Sequence, residues 1–215
     1  MKIIAISGYK DSGKTTLCRR LIQILSGHGF SVGYIKRSHE NVTSSSGTDS
    51  GSVAAVGTPS LLWGDDGFRM EIKAPDAHQT DPYEIAGRFF PTAGIVILEG
   101  GKDLALPKIW VSRPNEDTPD LPGIFAIYDR HQEGDGGRRY GAGDLDRLAL
   151  VIAGKAELSS LSARVYIGNR ELPMKDFVAD FISGGIMGMI DALKKPDGTD
   201  GEEGVRVYIK KPRGI

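Results

Sequence analysis

An α/β fold, with a mostly parallel sheet flanked by helices, is what this sequence predicts, and three observations carry the prediction. The apolar run Ile3, Ile4, Ala5 and Ile6 leads directly into the glycine-rich stretch "GYKDSGKTT" at 8–16. Apolar residues at helical spacing follow it at once. A second buried run, "GIVILEGGK" at 94–102, ends in a carboxylate and two glycines. Strands buried on both faces of a parallel sheet read as such short unbroken apolar runs, not as alternation.

Taken in order, residues 2–7 form the first strand, and Leu17, Leu21, Ile24 and Leu25 then recur on one helical face until Gly27 and Gly29 end the pattern. The run 30–36 is a second strand, so the chain opens with a β-α-β unit whose crossover is right-handed. Residues 40–58 are rich in Ser, Thr and Gly and predict a mobile loop followed by a short helix near 52–56. "SLLWGDDGFRMEIK" predicts a hairpin around Gly64, Asp65, Asp66 and Gly67. Asp81 caps a short helix at 81–90 with Pro82 in its first position. The run at 94–102 is the next strand, and those at 108–111, 124–128 and 148–153 are taken for the remaining ones. "DRHQEGDGGRRYGAGD" at 129–144 reads as a solvated surface loop.

The rest of the chain differs in character. "ARVYIGNRELP" predicts a hairpin turning at Gly168 and Asn169, and "KDFVADFISGGIMGMIDALKK" an amphipathic helix weakened by Gly184, Gly185 and Gly188, by roughly 1 kcal/mol each, unless something packs against them. "VRVYIKK" alternates as an edge strand. The expected division is a nucleotide-binding domain at 1–163 and a C-terminal hairpin, helix and edge strand at 164–215, packed on that same domain.

Composition narrows the function classes. A length of 215 residues, 40% hydrophobic and 26% charged, suits a folded chain with a sizeable core. A formal net charge of -1 provides no whole-chain field to concentrate nucleic acid or an anionic membrane, so neither is expected as a partner. With no signal-peptide pattern and no apolar run of about 18 residues, a cytoplasmic location is expected. Cys18, the single cysteine, has no disulfide partner and should pack as a small apolar side chain in the first helix.

Gly8, Gly13, Lys14 and Thr15 satisfy G-x-x-x-x-G-K-[ST] between a strand and a helix, which is where its mechanism requires it. The glycines allow a bend that turns successive N–H groups toward one anion, and the helix N-terminus adds unpaired donors. Gly8, Tyr9, Lys10, Asp11, Ser12, Gly13, Lys14, Thr15 and Thr16 are therefore the expected nucleotide-binding residues of a P-loop NTPase-like fold. Lys14 should reach the outer phosphates and Thr15 should ligate Mg²⁺. A metal-nucleotide site needs an acid at the carboxyl end of a neighbouring strand, and Glu99 stands there. Asp49 is the candidate acid in the loop, with Glu40 as its competitor. Lys36 brings positive charge to the same edge and is assigned with Lys14 to catalysis. His39 has no Cys or second His at metal spacing.

"GYKDSGKTT", "GYIKRSHE", "GTDS" and "VILEGGK", in this order, resemble the molybdopterin-guanine dinucleotide biosynthesis protein B family over about residues 1–60 and 93–113. "ELPMKDFVADFISGGIMGMIDALK" resembles a C-terminal segment of some members. The resemblance implies a P-loop GTP-binding protein that assists attachment of GMP to the molybdenum cofactor. It implies Mg²⁺ and GTP as ligands, with ATP not excluded, and a homodimer that works with a molybdenum cofactor guanylyltransferase. It also implies Asp49 and Glu99 as acids near Mg²⁺ and Lys36 as a phosphate-edge lysine. The [NT]-K-x-D base-reading element of regulatory GTPases is missing, and "AGKAE" at 153–157 only echoes it. Slow GTP hydrolysis is expected, with Arg138 or Arg139 as the arginines available to it. Two other readings use the same residues: an ATP-dependent enzyme similar to dethiobiotin synthetase, and an interaction module stabilised by its nucleotide.

Overall fold

Strand β1 (Lys2–Gly8) buries Ile3, Ile4, Ala5 and Ile6 completely, because the sheet is covered on both faces at its centre. Alternation then sorts these side chains: Ile4 and Ile6 join one core cluster, Ile3 and Ala5 another. Helix α1 (Lys14–Gly27) lies on the first face through Leu17, Cys18, Leu21 and Leu25, which confirms the expected packing of Cys18.

The computed structural model describes residues 1–155 apart from 75 and 115, then 163, 165–167, 170–172, 174–193, 205 and 207. The remaining elements are β2 (Val32–Lys36), α2 (Asp49–Ala55), β3 (Ser60–Gly64), β4 (Gly67–Glu71), α3 (Pro82–Phe89), β5 (Ile95–Glu99), β6 (Lys108–Val111), β7 (Ile124–Tyr128), β8 (Arg139–Tyr140), α4 (Leu145–Lys155), β9 (Tyr166–Ile167), β10 (Arg170–Glu171) and α5 (Asp176–Asp191). The sheet runs β2-β5-β1-β6-β7-β8 with every pairing parallel. All its carboxyl ends therefore meet along one edge, the edge where ligands of open α/β sheets sit.

Two expectations needed correction. The run at 148–153 is not a strand but the body of α4, whose Leu145, Leu148, Ala149 and Ile152 are buried against the face that holds α1. Their spacing of three, one and three is helical, and a short apolar run alone does not separate the two periods. The stretch 129–144 is not only a loop: Arg139 and Tyr140 add a sixth strand, with Tyr140 buried beneath the Arg147 guanidinium. A smaller shift concerns α2, which begins at Asp49 instead of near 52, because the Thr48 hydroxyl caps it by accepting the Gly51 N–H at 3.1 Å.

The predicted hairpin is β3 paired with β4, and Asp81 caps α3 by accepting the Tyr83 N–H at 2.8 Å. The chain divides into two compact units, Met1–Ser160 with Val165–Leu172, and Leu161–Arg164 with Pro173–Ile215. The β9–β10 hairpin belongs to the first unit. In the second, α5 exposes Phe177, Phe181 and Met189, and a Cβ at Gly184, Gly185 or Gly188 would meet nothing within 4 Å. Of the expected edge strand at 205–211 only 205 and 207 are among the described residues, and the turn at Gly168 and Asn169 lies outside them. Among the described residues no helix is long and apolar enough to cross a membrane.

Candidate functional site

Strand register builds the site. Ile6 of β1 and Lys36 of β2 both stand level with Glu99 of β5, and Gly8 stands level with Val111 of β6. The loop from Gly8 to Gly13 thus leaves the sheet centre with Glu99 on one side and the end of β6 on the other.

The loop's conformation depends on its glycines. Gly13 takes φ 94° immediately before α1 and gives that helix no side-chain cap, so its first N–H groups lack the side-chain acceptor that a Ser, Thr, Asp or Asn would supply. A Cβ at Gly8 would fall 2.6 Å from the Val111 carbonyl oxygen and 2.8 Å from Ser12 Oγ, so only glycine permits this approach. Ser12 is buried, and among the described residues its hydroxyl has no hydrogen-bond partner. Lys14 Nζ folds across the loop and donates to the Tyr9 carbonyl. Burial holds its ammonium below the ordinary lysine range; Glu99 opposes that shift and the Arg113 charge adds to it. The Tyr9 ring meets Trp110 edge-on at 5.3 Å, while Lys10, Asp11 and Thr16 are exposed.

Glu99 is the centre of the arrangement. Only 5% exposed, it accepts the Thr15 hydroxyl at 2.9 Å on one oxygen and the Tyr34 hydroxyl at 2.7 Å on the other. Lys36 Nζ lies 3.8 Å away. Burial, then the hydrogen bond to Glu99, raises the Tyr34 phenol well above its ordinary range, so it stays a donor. Behind the carboxylate the backbone is locked, since Ser7 Oγ donates to the Gly100 carbonyl at 2.7 Å and the Gly100 N–H donates to Ile6 at 2.9 Å.

Thr15, Glu99, Lys36 and Lys14 are therefore brought together. Asp49 is not joined to them: it sits exposed in the first turn of α2, and among the described residues no hydrogen bond or ion pair links it to Thr15, Lys36 or Glu99. Glu40 is likewise exposed, with only its backbone N–H bonded, to Ser38 Oγ. Among the described residues no three His, Cys, Asp or Glu side chains converge. A hydroxyl and a carboxylate of hard oxygen character, beside the glycine-bent loop, still fit Mg²⁺, which takes one or two protein ligands and completes its shell with other oxygens and water.

Three contributors escaped the sequence reading. Tyr34 precedes Lys36 by two in β2 and so shares its face, a signal that was available. Arg113 follows β6 and lies 5.9 Å from the Tyr9 ring centre. Arg130 follows β7, its Nη1 3.9 Å from where a Gly13 Cβ would be. Their closeness to the loop depends on the order of strands, which no local pattern reveals. Arg138, by contrast, donates to the Ile124 and Phe125 carbonyls at the amino end of β7, away from the phosphate edge, and Arg139 is exposed on β8.

A parallel sheet with a glycine-bent loop opening a helix, and a buried acid against that helix's first hydroxyl, defines a P-loop NTPase-like fold. Residues 3–127 match the family described as molybdopterin guanine dinucleotide synthesis protein B, MobB. The chain belongs to that family. It is 34% identical over 125 residues to the molybdopterin-guanine dinucleotide biosynthesis adapter protein of Haemophilus influenzae, covering 57% of this chain and 68% of that one. The MobB homologue of Bacillus stearothermophilus superposes with a TM-score of 0.53 at 21% identity, over 73% of this chain and 98% of its own. MobB of Bacillus subtilis gives 0.53 at 22%, over 71% and 97%.

Proposed function

We propose that this protein is a Mg²⁺-dependent GTP-binding accessory factor of molybdopterin guanine dinucleotide biosynthesis, cytoplasmic and homodimeric, with weak GTPase activity and a molybdenum cofactor guanylyltransferase as its partner. The observation that carries this reading is the Thr15–Glu99 pair beside the phosphate loop, in a chain of the MobB family.

In this reading the N–H groups of the loop and of α1 bind the phosphates, and Lys14 leaves the Tyr9 carbonyl for the outer phosphate oxygens. Thr15 Oγ1 and Glu99 would hold Mg²⁺, which would supply neutralisation of the phosphate charge. Tyr34 orients the Glu99 carboxylate, and Lys36 balances its charge. Asp49 enters only if α2 and the preceding loop move toward the phosphates. Slow turnover is the expectation of this reading, supported by Arg138 being occupied at the far edge and by there being, among the described residues, no hydrogen bond that sets a side chain at the loop as a base.

Titration with GTP and with ATP, each with and without Mg²⁺, followed by a phosphate-release assay, tests the reading. The expected result is Mg²⁺-enhanced GTP binding with slow turnover. Phosphate release that depends on an added small-molecule substrate with ATP would replace it with the dethiobiotin synthetase-like reading. Binding without turnover, even with a guanylyltransferase present, would leave an interaction module whose nucleotide is structural.

A further inference from the structure

We infer that the open cavity between the β7–β8 connection and the turn after β8 seats the base of the bound nucleotide, and that Glu133 reads a guanine there. The inference rests on the phosphate-loop reading above and adds the base-reading element that the sequence lacks in its usual form.

The cavity measures about 510 Å³ and is lined by Arg130, His131, Glu133, Gly134, Gly143 and Asp144, among others. That volume lies within the range of small-molecule sites, roughly 300 to 1,000 Å³. Its walls are built by close approach. A Cβ at Gly134 would fall 2.2 Å from Asp144 Oδ2, and one at Gly141 would fall 2.2 Å from the Gln132 carbonyl oxygen. Asp144 accepts the Gly141 N–H at 2.8 Å, and Asp129, buried at the end of β7, accepts the His131 N–H at 2.9 Å. Arg130 Nε donates to His131 Nε2 at 2.8 Å, which sets both side chains at the rim.

Arg130 belongs to both places. Its guanidinium reaches the Gly13 end of the phosphate loop, and its residue lines the cavity. A ligand anchored at Gly13 and Lys14 and running along the carboxyl edge from β1 past β6 to β7 therefore passes Arg130 before entering. The planar guanidinium is a surface on which a base stacks.

Two carboxylates line the cavity, and they are not equivalent. Asp144 is committed to the Gly141 N–H and to Arg147 at 3.4 Å. Glu133 is exposed and, among the described residues, has no hydrogen bond or ion pair. A carboxylate only accepts hydrogen bonds. Guanine presents N1–H and the 2-amino group side by side, two donors for its two oxygens. Adenine presents a lone pair at N1, which a carboxylate repels.

The test is calorimetric titration of the full chain, in Mg²⁺, with GTP, ITP, ATP and inorganic tripolyphosphate. A bidentate base contact is worth roughly 1 to 3 kcal/mol of discrimination, so GTP should bind roughly 5- to 150-fold tighter than ATP, with ITP between them. Glu133→Gln should remove most of that preference, by weakening GTP and relieving the repulsion of ATP, and leave tripolyphosphate unchanged. Gly143→Phe should weaken GTP and ATP alike without affecting tripolyphosphate, since a Cβ there meets nothing within 4 Å and the new ring fills the cavity. Unaltered GTP affinity in both variants, with tripolyphosphate still bound, overturns the base site and leaves the phosphate loop standing. Binding of neither GTP nor tripolyphosphate to the wild type overturns both.

Discussion

Two buried glutamates, Glu99 and Glu71, are each 5% exposed and each hold a hydroxyl and a cation, yet they differ in kind. Glu99 closes β5 and collects Thr15 from α1 and Tyr34 and Lys36 from β2, with its cation 3.8 Å away. Glu71 closes β4 and takes both the hydroxyl, at 2.6 Å, and the N–H, at 3.3 Å, of Ser44, with the Arg69 guanidinium in direct contact. The Glu71 carboxylate is saturated and ties residue 44 to the hairpin. The Glu99 carboxylate is held by hydroxyls, one of them on the phosphate-loop helix, and by a loose lysine, partners a cation can displace. Exposure alone does not distinguish an anchor from a ligand; the exchangeability of the partners does.

The comparison breaks most sharply at Lys14. Lys14→Ala removes charge-assisted hydrogen bonds to phosphate, each worth about 1.5 to 3 kcal/mol, so nucleotide affinity should fall about 100-fold or more while the melting temperature of the ligand-free protein is unchanged. Unchanged affinity in a titration would remove Glu99's side of the contrast altogether.

Next in size, Glu99→Gln keeps the shape and one acceptor but loses the charge. Nucleotide binding in Mg²⁺ should weaken about 10-fold, and binding in chelator hardly at all. An equal loss in both conditions would make Glu99 an anchor like Glu71.

Glu71→Gln should do the reverse. Amides of residues 43–48 should exchange faster, while the Mg²⁺ dependence of nucleotide binding stays as in the wild type. The Ser44 hydroxyl, followed by Arg69, holds the Glu71 carboxyl below its ordinary 4.5. A carboxyl depressed in the folded state adds stability that is present above its ordinary value and lost as pH falls through the folded value. Protection of residues 43–48, corrected for intrinsic exchange, should therefore hold at pH 7 and fade below about 4.5.

Asp49→Asn carries the smallest expected effect, under about threefold on Mg²⁺-nucleotide affinity, because Asp49 reaches the metal only if α2 moves. Exchange of residues 41–57 with and without Mg²⁺-GTP sharpens this: protection gained on binding supports the movement, and equal protection keeps Asp49 away from the metal. A larger loss for Glu40→Gln would transfer the role to Glu40.

Much of the fold was legible because parallel strands inside a sheet spell themselves as apolar runs, as β1, β5, β6 and β7 did, while the partly buried edge strand β2 was marked by its place after α1. Leu148 to Ala153 misled because six apolar residues fit either period, and Leu145, which resolves it, stood outside both the run and the loop at 129–144. Glu99 was legible since position alone, at the end of a buried strand beside two glycines, marks it. Arg113, Arg130 and the Glu71–Ser44 tie were not, since each depends on which strands or loops become neighbours.

Cys18 turns the packing of α1 into a clock. Buried on that helix four residues past Lys14, its thiol is pushed up to about 12, chiefly by burial and then by the Glu99 charge. Alkylating reagents attack the thiolate, of which only about one part in 10⁵ would exist at pH 7 even with free access. Labelling of the native chain can then proceed no faster than α1 lifts from the sheet, and the chain carries a single thiol, so one mass shift marks each molecule that has opened and been caught. Any ligand that clamps the start of α1 lengthens the interval between openings, and its grip can be timed without a fluorophore or an engineered label.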